Sequence, residues 1–170
     1  MFKTIVWATD GSEIADDALA VTEDLARAYK SKILAVHATF LFRGGRYNGG
    51  SLVPGDDEVQ AKIRSQVEGL RAQGFDAEFV LASSGFDDPP HLIRRAAEER
   101  GADLIVVGTH GRGAIPEMLF GGIAKQLLRL SACPVLVVPP RKETAVLEPT
   151  EGRQERQRAI HHTSQDVSSL

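Results

Sequence analysis

Along the first 140 positions, short runs of apolar and β-branched residues alternate with longer stretches whose apolar residues return every three or four positions. The first pattern suits a strand buried in a sheet, and the second suits a helix with one buried face. Lys3 to Thr9 is the first such run and stops at the turn-forming triplet Asp10-Gly11-Ser12. From Glu13 onward, Ile14, Ala18, Val21, Leu25 and Ala28 fall on one helical stripe. Ile33 to Val36 predicts a second strand. A second helix opens with Asp56 or Asp57 as N-cap, turns Val59, Ile63, Val67 and Leu70 inward, and ends at Gly74. Ala77 to Leu81 predicts the third strand. Asp87-Asp88-Pro89-Pro90 opens a third helix that buries Leu92, Ile93, Ala96 and Ala97 and stops at Gly101. Leu104 to Val107, apolar on both faces, reads as a central fourth strand. A fourth helix is expected from about Phe120 to Leu130, and Pro134 to Val138 is the last strand. Five strands alternating with four helices predict a parallel α/β sheet, because parallel neighbours need crossover connections and the helices supply them.

Two stretches break the alternation. Phe40 to Asp57 holds five glycines and a proline and reads as a long mobile loop. Residues 141–170 carry few apolar positions and many Glu, Gln, Arg and Ser, too little burial to offset the entropy of ordering a chain. They are expected to form a flexible polar tail, with a transient helix around Glu151 to Ile160. The chain of 170 residues therefore divides into one domain, 1–140, and a tail.

Charge and composition narrow the functions. A net charge of −3 argues against a surface built to collect nucleic acid phosphates. No apolar run approaches the roughly 20 residues that span a bilayer. The N-terminus has no signal-peptide layout, and a single cysteine fits a reducing compartment, so a cytoplasmic location is expected.

The loop after the fourth strand carries the candidate chemistry. Val107-Gly108-Thr109-His110-Gly111-Arg112-Gly113 follows a buried strand, and Gly121-Gly122-Ile123 opens the next helix. Glycine permits positive φ and close backbone approach, and a helix N-terminus adds unpaired N–H donors with partial positive charge. Phosphate suits such a place. Tight turning alone also explains glycines after a strand, and both readings stand. The lysine and hydroxyl of an NTPase phosphate loop are missing, as is the compact Gly-x-Gly-x-x-Gly of dinucleotide folds.

The spacing Gly108-x-x-Gly111, nine residues, Gly121 resembles the universal stress protein family, whose ATP-binding members carry Gly-x-x-Gly, nine residues, then Gly-Ser/Thr. The resemblance covers residues 3–139 and includes the Asp10-Gly11-Ser12 turn, Val36-His37, and Pro134-Val135-Leu136-Val137-Val138-Pro139. One departure is Gly122, which stands where ATP-binding members have a hydroxyl. The resemblance implies a Rossmann-like open sheet of order 3-2-1-4-5 with helices on both faces and nucleotide lying across strands 1 and 4. It implies Ala8 and Thr9 lining the adenine pocket, Asp10 at the ribose or adenine end, Ala38 offering backbone groups to the base, and Val107 against the nucleoside. Gly108, Gly111, Gly121, Gly122 and Ile123 would present N–H groups to the phosphates. Asp10 is equally readable as a cap or turn residue beside Ser12. Arg112 would pair with a terminal phosphate or stand solvated, and Lys125 would help electrostatically. ATP with Mg2+ held by phosphate oxygens and water is the implied cofactor set, and a homodimer through Pro134–Val138 is the implied assembly.

The other polar residues supply no machinery. His110 reads as a loop-orienting residue, His37 as a packed or hydrogen-bonded one, and His161-His162 lack partners at metal-ligand spacing. Ser83-Ser84 has no nucleophile-elbow pattern, Cys133 reads as a small packing residue, and no acid–base pair can be named. At most slow ATP hydrolysis is expected. A stress-response protein binding an adenine nucleotide leads. A nucleotide-independent dimeric interaction module of the same fold is the alternative. A phosphorelay receiver is disfavoured because strand three ends at Ala82-Ser83-Ser84 with no phospho-accepting aspartate.

Overall fold

In a computed structural model, described for residues 1–40, 55–111 and 121–141, five strands alternate with four helices. The order is β1 (Thr4–Ala8), α1 (Glu13–Tyr29), β2 (Lys32–Phe40), α2 (Asp56–Ala72), β3 (Ala77–Ser84), α3 (Pro89–Glu99), β4 (Leu104–Gly108), α4 (Gly122–Leu130) and β5 (Val135–Val138). All neighbours pair in parallel, and the sheet order is β3-β2-β1-β4-β5. That is the expected α/β architecture. Most of the predicted long loop (41–54), Arg112 and Gly113, the expected helix start at Phe120, and the tail beyond Arg141 lie outside the described residues.

Each face of the sheet has its own core. Ile5, Trp7, Ile33 and Ala35 point towards α1 and α2, where Ala18, Leu19, Ile63, Val67 and Leu70 meet them. Val6, Ala8, Leu34, Val36, Ile105 and Val107 point towards α3 and α4 and pack on Ile93, Ala96, Ala97, Ala124 and Leu127. The period-two alternation of strand side chains produces this division. β4 is buried at all five positions, as its doubly apolar run requires.

Three expectations need correction. The buried seam of α1 is Ala15, Ala18, Leu19, Thr22 and Ala26, one position round from the predicted stripe, and Ala28 is exposed. Small residues let this helix approach the sheet closely, and the Trp7 indole N–H donates to the Ala15 carbonyl at 2.8 Å. Strands β2 and β3 run to Phe40 and Ser84, past the predicted ends, because they pair with each other from Ile33↔Ala77 to Phe40↔Ser84. They stand as a two-stranded wall beyond the end of β1. Finally, the N-cap of α2 is Gly55, at φ +77°, with no side-chain cap. Asp56 is the first helical residue and turns inward, where it is 3% exposed.

Candidate functional site

The chain leaves β1 for one half of the sheet and returns through β4 for the other, so strand order reverses between them. In open α/β sheets the crevice beyond the strand ends at such a point is where ligands bind. Two connections meet there, β1–α1 and β4–α4.

The β1–α1 connection is held by its own side chains. Thr9 N–H continues the ladder to Val36 O at 3.0 Å, while Thr9 Oγ1 accepts from Gly11 N at 3.1 Å. Asp10 Oδ1 accepts from Ser12 N and from Ser12 Oγ, at 3.1 and 2.6 Å. Ser12 is the N-cap of α1, its Oγ accepting from Ala15 N at 3.3 Å. Lys62 Nζ, from α2, donates to Gly11 O at 2.8 Å and to Asp16 at 2.7 Å. Asp10 is therefore a turn-forming residue, and its second oxygen, Oδ2, faces the β4–α4 connection.

There it meets Gly111, where a Cβ would collide with Asp10 Oδ2. A Cβ on Gly108 would lie 2.8 Å from Ile14 Cγ2, and one on Gly121 would lie 3.1 Å from Thr109 O. Close packing thus accounts for these three glycines. The expectation that they use positive φ is corrected, since among the described glycines positive φ occurs at Gly11, Gly55, Gly74 and Gly101. Gly121 is corrected as a phosphate donor too, because its N–H donates to Thr109 O at 2.7 Å. Gly122 differs from the others. Nothing lies within 4 Å of where its Cβ would be, and it is exposed.

Gly122 and Ile123 begin α4, and first-turn N–H groups have no intrahelical acceptor. The N-cap Gly121 offers no side-chain oxygen, and the first turn holds no acid. By contrast, α1 carries Glu13 and Asp16 in its first turn, and α2 carries Asp56, Asp57 and Glu58. The positive end of α4 is left uncompensated by side chains of its own first turn. Behind it, Ala8 and Val107 are buried, with Ala38 and Ile123 partly buried on the same face of the sheet. Lys125 is exposed on α4, and His110 Nδ1 lies 3.1 Å from Thr109 Oγ1.

His37 and Asp56 sit behind this edge, on the α1–α2 side of the sheet. His37 Nδ1 lies 2.9 Å from Thr9 O, and Nε2 lies 2.9 Å from Asp56 Oδ1. Gln60 Nε2 donates to Asp56 Oδ2 at 2.8 Å. The buried, hydrogen-bonded state of His37 agrees with its sequence reading, whereas Asp56 was legible only as a cap. An acidic residue at a helix start gives no sign that it faces a histidine 19 positions earlier.

Among the described residues, no group of three or more His, Cys, Asp or Glu is arranged to hold a metal ion. No described helix is long and apolar enough to cross a membrane. Burial raises the Cys133 thiol pKa, which keeps it protonated and poorly nucleophilic.

The family model for the universal stress protein family matches residues 1–139. A universal stress protein of Thermus aquaticus is 35% identical over 143 residues, spanning 81% of this chain and 99% of the relative. Among solved structures, a universal stress protein in complex with cAMP superposes with a TM-score of 0.62 at 27% identity, over 82% of this chain and 98% of that one. The universal stress protein of Archaeoglobus fulgidus in complex with dAMP gives a TM-score of 0.59 at 25% identity, over 81% and 98%. With one family model running from the first residue through β5, this chain belongs to the universal stress protein family.

Proposed function

We propose that this protein is a regulatory, stress-response protein that binds an adenine nucleotide across the ends of β1 and β4. The observation that carries the reading is the uncapped, acid-free N-terminus of α4, set beside Thr9, Asp10 and Gly111 where strand order reverses. The N–H groups of Gly122 and Ile123 donate to phosphate, together with the backbone of Gly108 and Gly111. The base lies against Ala8, Ala38 and Val107, with Asp10 and Thr9 at the ribose end. Arg112 and Lys125 add positive charge. Two relatives solved with cAMP and dAMP support an adenine nucleotide as the ligand class. With a triphosphate, Mg2+ is held by phosphate oxygens and water. Occupancy, with at most slow hydrolysis, is the signal. In a cytoplasmic setting, the occupied and empty forms differ in the partners they take.

Among the described residues β5 is an edge strand, with Leu136 37% exposed, and an apolar edge invites pairing with a second copy. The assembly is therefore a homodimer through Pro134–Val138. Isothermal titration with ATP, AMP and cAMP, with and without Mg2+, tests the ligand. Saturable heat at micromolar to millimolar nucleotide supports it, and no heat at millimolar nucleotide overturns it.

One observation favours a second reading, a nucleotide-independent dimeric module. Packing explains Gly108, Gly111 and Gly121 without any ligand, and Gly122 lacks the family hydroxyl. A dimer by sedimentation that shows no nucleotide heat would establish this alternative.

A further inference from the structure

We propose that His37 and Asp56 are positioning residues for the nucleotide site, acting through the Thr9 carbonyl without touching the ligand. The proposal rests on the adenine-nucleotide reading above and adds residues that reading does not use.

The hydrogen-bond chemistry fixes the direction of the relay. A backbone carbonyl only accepts, so the 2.9 Å contact of His37 Nδ1 with Thr9 O requires the proton on Nδ1. The 2.9 Å contact of Nε2 with Asp56 Oδ1 then shares one further proton between ring and carboxyl. Gln60 Nε2 donates to the other carboxyl oxygen at 2.8 Å and orients it. His37 and Asp56 are 5% and 3% exposed, so water does not replace a lost partner there, and a buried polar group without one is costly.

Position makes this more than a core contact. Thr9 uses its N–H on Val36 O, its hydroxyl on Gly11 N–H and its carbonyl on His37, so all three polar groups are engaged. The next residue is Asp10, whose Oδ2 packs against Gly111 in the β4–α4 connection. Moving the Thr9 carbonyl therefore moves Asp10 and the contact that sets the spacing between the two connections. α2 also grips the same turn through Lys62, on Gly11 O and Asp16, with Gln66 on Asp16 at 2.8 Å. The turn is thus held at Gly11 O by α2 directly, and at Thr9 O by His37 of β2, which Asp56 of α2 contacts. His37 projects to the α1–α2 face, while Ala38 beside it projects to the opposite face, with Ala8 and Val107. The relay lies behind the expected ligand, on the far side of the sheet.

The test compares full-length His37→Phe, His37→Asn and Asp56→Asn with wild type by calorimetric titration of AMP and ATP, with thermal melts to confirm folding. His37→Phe removes the donor to Thr9 O and is expected to weaken both nucleotides at least tenfold. His37→Asn places an amide N–H near the Nδ1 position and is expected to recover most of that loss. Asp56→Asn can donate to Nε2 and still accept from Gln60, and is expected to stay within about threefold of wild type, the size of a perturbed neutral hydrogen bond. In 15N spectra of the wild-type chain, the His37 Nδ1–H resonance is expected to move when AMP is added, which a purely structural histidine would not do. Wild-type affinity in folded His37→Phe, or a stationary resonance at saturating AMP, overturns the relay alone. A wild type that binds neither nucleotide overturns the ligand reading and the relay with it. If His37→Phe does not fold, the wild-type resonance decides.

Discussion

The two connections that meet at the reversal of strand order are built on opposite plans. β1–α1 closes on itself: Ser12 caps the helix, Asp10 binds Ser12, Thr9 binds Gly11, and Lys62 and His37 hold two carbonyls from outside. The described part of β4–α4 includes the backbone bond of Gly121 N–H to Thr109 O, and its helix begins without a side-chain cap or a first-turn acid. The contrast teaches where a ligand fits. A helix start that carries its own cap and acids gains little from an anion, whereas one without a side-chain cap or a first-turn acid has more to gain from it. On the proposed reading, the capped side positions and the uncapped helix start binds.

The comparison can be broken most forcefully where the two connections touch. Gly111→Ala puts a methyl group into the Asp10 carboxylate. Overpacking of this kind costs about 1–3 kcal/mol, so a thermal melt should fall by several degrees and nucleotide affinity should fall with it. An unchanged melt would mean that the connections are not in contact. Ser12→Ala removes the α1 cap and the partner of Asp10, an expected loss of about 0.5–2 kcal/mol in a denaturant titration. At the start of α4, which has no side-chain cap, Gly122→Ser acts in the other direction. Its side chain enters open space, and one new hydroxyl hydrogen bond to the charged phosphate should tighten ATP roughly tenfold with no change in the melt.

The smallest effect belongs at the other end of the sheet and serves as a control. Hydrogen bonds from Lys32 and then Arg100 hold the Glu78 carboxyl below its ordinary pKa, at 2.7 and 2.5 Å. A carboxylate with a depressed folded pKa contributes stability that is complete above its unfolded value and is lost as pH falls through the folded one. Glu78 is about one-third exposed, so screening keeps the contribution small. Glu78→Gln should flatten the acid limb of the melting-temperature profile slightly and leave nucleotide binding untouched at neutral pH. A change in affinity there would contradict the separation of the two ends.

Much of the fold was legible because burial leaves a periodic trace. Every predicted inward residue of α2 and α3 is buried, with Asp56 and Pro90 added at the helix starts, and β4 announced itself by being apolar on both sides. The α1 seam drifted by one position because alanines fill both the core face and its flanks, so hydrophobicity could not tell which alanine touches the sheet. The ends of β2 and β3 were unreadable for a related reason, since their last residues are held by each other. In the candidate site, the residues near the strand ends could be listed only as what the family resemblance implies. Which glycine is packed, which N–H is already taken and which carboxylate faces a histidine could not.

The amino-acid sequence by itself determined the alternating α/β order and the glycine spacing that marks one connection, because the order depends on local propensity and on the period of apolar positions. Tertiary structure alone decided that Gly111 abuts Asp10, that Gly121 spends its N–H on Thr109, and that Asp56 reaches His37. Those are contacts between elements far apart in the chain. Their geometry exists only once the sheet has brought the ends of β1, β2 and β4 to one edge.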